Sequence, residues 1–291
     1  MATSFTKFQG FGNDYLVFEA DQLARVNNLG EFARRICNRH YGAGADGIAI
    51  VSEPPAVAGG LVGDSDFRVR IFNPDGSEAG MSGNGTRCAA AYLFFHGLWS
   101  DENLRLQTRN GIKRYHLIER SGDGSFLFRS ELGQPRFDSA SIPMNTEEPL
   151  DRVINHPLDV SGELLQVTAL QMGNPNCCVF VDDFDAIDWR RLGPLIENHP
   201  GFPERTNVIF IRVRDRATIE ERIWERGVGE TESSGTCSCA AVVASVINGK
   251  CDRKIEVHAP GGTIPIEWRD DDEVVLTGTA SAVYSGQWLM D

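Results

Sequence analysis

An excess of positive charge is the first thing this chain lacks. Its 28 Lys and Arg are outnumbered by 41 Asp and Glu, leaving a formal net charge of −13. Sequence-independent binding of nucleic acid needs basic patches that neutralise phosphates, so a nucleic-acid partner is disfavoured, and an anionic membrane surface with it. Long apolar runs are also missing, since no stretch approaches the ~20 residues that a membrane-spanning helix requires. The first ten residues show no basic segment followed by an apolar one, so no secretory signal is read and a cytoplasmic protein is expected. The six histidines do not stand at zinc-ligand spacing with any of the seven cysteines, and no metal site is expected. Cysteines odd in number, in a chain too large to need covalent staples, read as reduced and mostly buried thiols, Cys177-Cys178 and Cys237-x-Cys239 included. Gly10-x-Gly12 has no third glycine opening a helix, so a dinucleotide fingerprint is lacking too.

What is present is an ordinary globular composition, 41% hydrophobic and 24% charged, spread over 291 residues. That length suits two domains of roughly 100–150 residues better than one core. A long-period echo supports the division. The stretch 72–91 is repeated at 225–244, so that Glu78 matches Glu230, Ser82 matches Ser234, Asn84 matches Thr236 and Ala89 matches Ala241. Each copy reads Glu, three residues, Ser-Gly, an amide or hydroxyl, one further residue, a hydroxyl, and then a small apolar run.

Hydrophobic periodicity places these copies between strands and helices. Residues 5–20 read as a hairpin broken by the turn 10–14. Leu29, Phe32, Ala33, Ile36 and Cys37 recur at helical spacing, and 42–47 is a loop leading into a strand at 48–51. A Pro- and Gly-rich surface loop is expected at 52–66, followed by a strand at 67–72 and, beyond the first copy, a helix over 86–96 stopped by Gly97. Strands follow at 104–108, 112–118 and 125–130, and 132–150 looks like a crossing, after which the order restarts. The second half is expected to hold strands at 163–170, 177–181, 206–213 and 217–224, a helix at 189–196, and a helix over 237–248 after the second copy. Strands at 254–257, 263–268, 274–280 and 282–289 close the chain, the final one returning to the first half. Domains are therefore expected at 1–131 plus 279–291 and at 132–278.

In both copies a strand ends, small residues turn tightly and a helix begins just after the serine. A helix start carries unpaired N–H groups and the positive end of the macrodipole, a ready site for a carboxylate. Capping alone would explain a serine there. It does not explain the matching Glu, Gly and small residues, so Ser82 and Ser234 are the candidate active groups.

Taken together, Gly10-Phe-Gly-Asn13-Asp14, Gly44-Ala-Asp46-Gly47, Asn73-Pro-Asp75-Gly-Ser-Glu78, Gly83-Asn-Gly85-x-Arg87-Cys88, Gly173-Asn174-Pro175, Glu225-Arg226-Gly-x-Gly229-Glu230 and Gly235-Thr236 resemble the diaminopimelate epimerase family in content and order. The resemblance implies an α+β fold of two pseudo-symmetric domains, each a mainly antiparallel sheet wrapped around a central helix, with the active site in the interdomain cleft. It implies cofactor-independent inversion at the α-carbon of a small-molecule amino acid, from LL- to meso-diaminopimelate, and it leaves a homodimer open. Carried over by position, it assigns substrate binding to Asn13, Asn73, Gly83, Asn84, Asn174, Asn207, Glu225, Arg226, Gly235 and Thr236, with Gly85 in the carboxylate cradle.

Four positions depart from the family pattern. Ser82 and Ser234 stand where the family has its two catalytic cysteines, and Gln9 and Asn176 stand where histidines are usual. A thiol's reference pKa of about 8.5 falls at a helix N-terminus, an option an alcohol lacks. Glu78 or Glu230 acting through the serine or a water is one expectation for the proton carrier; Cys88 or Cys237 could be proposed as a substitute thiol, but a structural buried cysteine is the expected reading of both. Altered α-proton chemistry, such as elimination or one-base isomerisation, and an inactive amino-acid-binding protein are the alternatives.

Overall fold

The computed structural model describes residues 2–54 and 64–289. The part of the expected loop at 52–66 that covers 55–63 lies outside the described residues. The chain divides into two compact units, Met1–Glu131 with Gly278–Asp291, and Leu132–Thr277.

In the first unit, β1 (Thr3–Gly10) and β2 (Asn13–Glu19) form the hairpin and α1 (Leu29–Ile36) follows. Next come β3 (Gly47–Ser52), β4 (Phe67–Phe72), the two-residue β5 (Glu78–Ala79) and α2 (Gly83–Phe95). The meander β6 (Asn103–Thr108), β7 (Gly111–Arg120) and β8 (Ser125–Gly133) comes last. Strand pairing is antiparallel for β1–β2, β3–β4, β4–β5, β6–β7 and β7–β8, and parallel for β2–β3 and β4–β6.

The second unit repeats that pairing order. It contains β9 (Val153–Val160), β10 (Glu163–Gln171), β11 (Pro175–Phe180), α3 (Trp189–Glu197), β12 (Asn207–Asp215), β13 (Thr218–Glu225), β14 (Gly229–Thr231), α4 (Gly235–Ile247), β15 (Lys254–Ala259) and β16 (Gly262–Trp268). Here β10–β11, β12–β13, β13–β14 and β15–β16 are antiparallel, and β11–β12 and β13–β15 are parallel. The final strand, β17 (Val274–Trp288), is continuous. Its first residues pair with β16, and residues 281–288 run antiparallel along β1. The sequence reading had divided it in two.

Each unit has a central helix enclosed on all sides. In α2 every residue from Asn84 to Phe94 is buried, and in α4 every residue from Gly235 to Ser245. A helix apolar all round belongs inside a core rather than on a surface. Close packing of strands around it needs small side chains, which Ala89, Ala90 and Ala91, and Ala240 and Ala241, supply. The outer face of the first sheet is covered by α1, whose Ala33 and Ile36 pack with Leu16, Phe18, Ile48 and Ile50. The second has α3 in the same role, with Trp189, Leu192 and Ile196 against Val208 and Phe210. Strands covered on both faces lose the alternation of a half-buried strand. Accordingly Asp14 to Phe18 of β2 are all buried.

Candidate active site

In the first unit β4 delivers the chain into the turn at Asn73, closed by Asn73 N–H to Ser77 O at 2.9 Å, and β5 folds back on β4. Asn73 Nδ2 donates to Ser77 Oγ at 3.0 Å, which fixes the amide at the turn. Ser82 follows as the N-cap of α2, its backbone extended and its Oγ accepting the Gly85 N–H at 3.1 Å. A second donor reaches the same oxygen, the Tyr15 hydroxyl, at 2.9 Å. The N–H groups of Gly83 and Asn84 lie in the first turn, where a helix has no internal acceptor for them. Behind them Arg87 is fully buried. It donates to Asn84 Oδ1 and to Thr279 O, and its guanidinium stands 5.2 Å from the Phe11 ring centroid. Burial lowers its pKa, yet an arginine stays charged, so positive charge lies under the helix start. Asn13 sits at the hairpin end, donating to Asp46 Oδ2 at 2.9 Å within an ionic cluster of Asp14, Lys7 and Arg39.

The second unit builds its helix start differently. Ser234 caps α4 in an extended conformation but makes no capping hydrogen bond. Its side chain is instead hydrogen-bonded to the carboxylate of Glu225, the last residue of β13. Burial pushes the Glu225 carboxyl above the ordinary glutamate value, and the Ser234 hydrogen bond opposes that rise. A run of amides braces the same corner. Asn174 donates to Thr236 Oγ1 at 3.4 Å, Asn176 to Asn174 O at 2.7 Å, and Asn207 to Asn176 Oδ1 at 3.1 Å. Asn207 Oδ1 then accepts the Arg226 N–H at 2.9 Å. Asn174, Asn207, Arg226 and Thr236 are thereby brought into one network, with Gly235 opening the helix beside them. Asn176, where the resemblance led one to expect a histidine, is the link that joins them.

The expectation of Glu78 or Glu230 as proton carrier fails on geometry. Glu78 is clamped by Arg70 through bonds of 2.8 and 3.0 Å, and Glu230 by Arg190 through two of 2.8 Å. Both carboxyls are held below their ordinary pKa by those guanidiniums, so neither is a poised base. The thiols are no better placed. All seven cysteines are free and buried, burial pushes Cys88 up to about 12, and it holds Cys237 well above the usual thiol value. Instead, Tyr15 neighbours Ser82 and Glu225 neighbours Ser234. Tyr15 went unread because its partner is 67 residues away in sequence. Its only local signal is a hydroxyl next to the Gly-Asn-Asp motif. Among the described residues there is no group of three or more His, Cys, Asp or Glu arranged for a metal, and no helix is long and apolar enough to cross a membrane.

The sequence profile of the diaminopimelate epimerase family matches residues 5–137 and 168–283. The chain is 41% identical over 285 residues to the diaminopimelate epimerase of Pelotomaculum thermopropionicum, with 98% of each chain covered. It is 42% identical over 287 residues to that of Halothermothrix orenii, covering 99% of this chain and 98% of the other. Among solved structures, a Bacillus anthracis phenazine biosynthesis protein of the PhzF family aligns over the whole of both chains with TM-score 0.67 and 20% identity. A probable proline racemase from Agrobacterium radiobacter aligns over 100% of this chain and 94% of the other, with TM-score 0.68 and 15% identity. Those two structures share the fold: two units, each a sheet around a buried helix.

Proposed function

The chain belongs to the diaminopimelate epimerase family, and from that membership we infer a pyridoxal-phosphate-independent isomerase that inverts the α-carbon of diaminopimelate, converting the LL to the meso form. It is an enzyme of lysine and amino-acid biosynthesis, and we place it in the cytoplasm. We further propose that Ser82 and Ser234 occupy the two positions of proton exchange. The N–H groups of Gly83 and Asn84, and those of Gly235 and Thr236, are proposed to hold the reacting carboxylate. Asn13, Asn73, Asn174, Asn207 and Arg226 are proposed to grip the remaining polar groups of the substrate. The observation that carries this reading is the repeated helix start. In each unit a serine caps the buried helix with extended backbone, and each serine oxygen is hydrogen-bonded to an acid–base group, Tyr15 for Ser82 and Glu225, with Cys237 as a second partner, for Ser234.

The second unit supports a base. Ser234 donates to a carboxylate, so a lone pair of its oxygen can take an α-hydrogen while its own hydrogen passes to Glu225. An enolate-like charge developing on the substrate carboxylate is stabilised by donors aligned in advance at a helix N-terminus. Near-40% identity to epimerases along the whole chain weighs against elimination and against a purely binding role.

Incubation of LL-diaminopimelate with the protein in heavy water tests the reading. Deuterium appearing at the α-carbon together with the meso isomer, followed by NMR, is the expected outcome. Binding of the amino acid with no exchange at any pH would defeat it, and an unsaturated product by mass spectrometry would replace inversion with elimination.

A further inference from the structure

We propose that Tyr15 is the positioning residue that lets a serine work at position 82, passing a hydrogen to and from Ser82 Oγ. The proposal rests on the reading that Ser82 exchanges the α-hydrogen. An alcohol is a poor base and a poor acid because its alkoxide is so unstable, whereas a phenol has a reference pKa of about 10. A phenol hydrogen-bonded to the alcohol can take over the charge, and the geometry sets up that arrangement. Ser82 Oγ accepts the Tyr15 hydroxyl at 2.9 Å and the Gly85 N–H at 3.1 Å, so both of its acceptor sites are filled from within the unit. The hydrogen of Ser82 itself is what remains to face a ligand.

The Tyr15 ring is held by construction. It is buried, and it stands beside two glycines: a Cβ on Gly47 would come within 2.6 Å of its Cε1, and one on Gly85 within 2.9 Å. Tyr15 also opens the parallel pairing of β2 with β3, opposite Gly47. The position that opens the corresponding pairing in the second unit is Asn176, opposite Asn207. The repeat thus uses the same point in both units to support a helix start, with an amide network in one and a phenol in the other. The helix N-terminus above Tyr15 and the buried guanidinium of Arg87 on the same helix favour negative charge near this oxygen.

The step balances as a double hydrogen transfer. When the substrate carbanion is protonated, the Ser82 O–H bond breaks and the carbanion's electron pair forms the Cα–H bond with that hydrogen. The Tyr15 hydrogen moves to Ser82 Oγ, and the negative charge ends on the phenol oxygen. In reverse, the phenolate takes the Ser82 hydrogen as Ser82 takes the α-hydrogen.

Tyr15→Phe, made alone and together with Ser82→Cys, tests the relay by α-deuterium exchange and steady-state kinetics. In the serine protein the change is expected to lower kcat by about 100-fold with KM within about twofold. In the Ser82→Cys protein, whose thiol needs no phenol, it should cost less than about threefold. Replacing Tyr15 with 3-fluorotyrosine keeps ring and hydroxyl and changes only acidity. It should alter kcat in the serine protein and leave the cysteine protein unchanged. Equal effects in both backgrounds, or kcat untouched by Tyr15→Phe, overturn the relay while leaving the epimerase reading standing. Absence of exchange in the unmodified protein removes both.

Discussion

Two glutamates in β13 differ in what burial does to them, and the difference is measurable. Glu225 has a hydrogen-bond donor in Ser234 and a carboxyl raised by burial. As base it must be ionised, so the acid limb of kcat against pH should lie above the usual carboxylate range. Glu225→Gln should abolish that limb and lower kcat by about 100-fold or more. Glu221 faces inward, fully buried, with Ser238 Oγ donating at 2.5 Å to one oxygen and no partner for the other among the described residues. Burial raises it to about 7. Between the unfolded glutamate pKa of about 4.3 and that value, the folded chain keeps a proton that the unfolded chain has released. Stability therefore falls as pH rises through this window, and the raised Glu225 adds to the fall in the same sense. Thermal melts at pH 5 and pH 8 should show the drop, and Glu221→Gln should remove a large part of it, on the order of 1–3 kcal/mol.

At the level of elements, the two helix starts are unequal despite the repeat. Ser82 makes a capping bond to Gly85 and Ser234 makes none. Urea denaturation should show Ser82→Ala destabilising by about 1 kcal/mol through the lost cap, and Ser234→Ala by about 1–3 kcal/mol through the buried Glu225 carboxyl that loses its donor. Asn207→Ala should cost about 1–3 kcal/mol, because it strips the Arg226 N–H and Asn176 of their partner in a buried place. The hairpin, both central helices and most strands were legible from periodicity, and so were the serines at the helix starts. Strand β9 was not, since Val-Ile-Asn-His-Pro-Leu-Asp-Val carries polar residues and a proline where a strand pattern is sought. Strands β5 and β14, of two and three residues, are too short for any period to register. The pairing of Ser82 with Tyr15 was invisible for another reason. A contact made by tertiary packing leaves no mark in the spacing of the residues that form it.

At the scale of the whole molecule, unit two is one uninterrupted stretch, Leu132–Thr277, while unit one borrows Gly278–Asp291. That borrowed segment supplies the strand running along β1 and, through Thr279 O, an acceptor for the buried Arg87. A fragment of residues 132–277 should melt cooperatively by itself, whereas residues 1–131 should do so only when a peptide of 278–288 is added, as circular dichroism would reveal. On a translating ribosome this order has a cost in time. Residue 131 emerges long before residue 278, and the 146 residues of Leu132–Thr277 take roughly 7–30 s to synthesise at about 5–20 residues per second. Throughout that interval the edge of β1 waits for its neighbour, an open strand in a nascent chain. The first half of the protein thus completes its sheet only after the second half has been made.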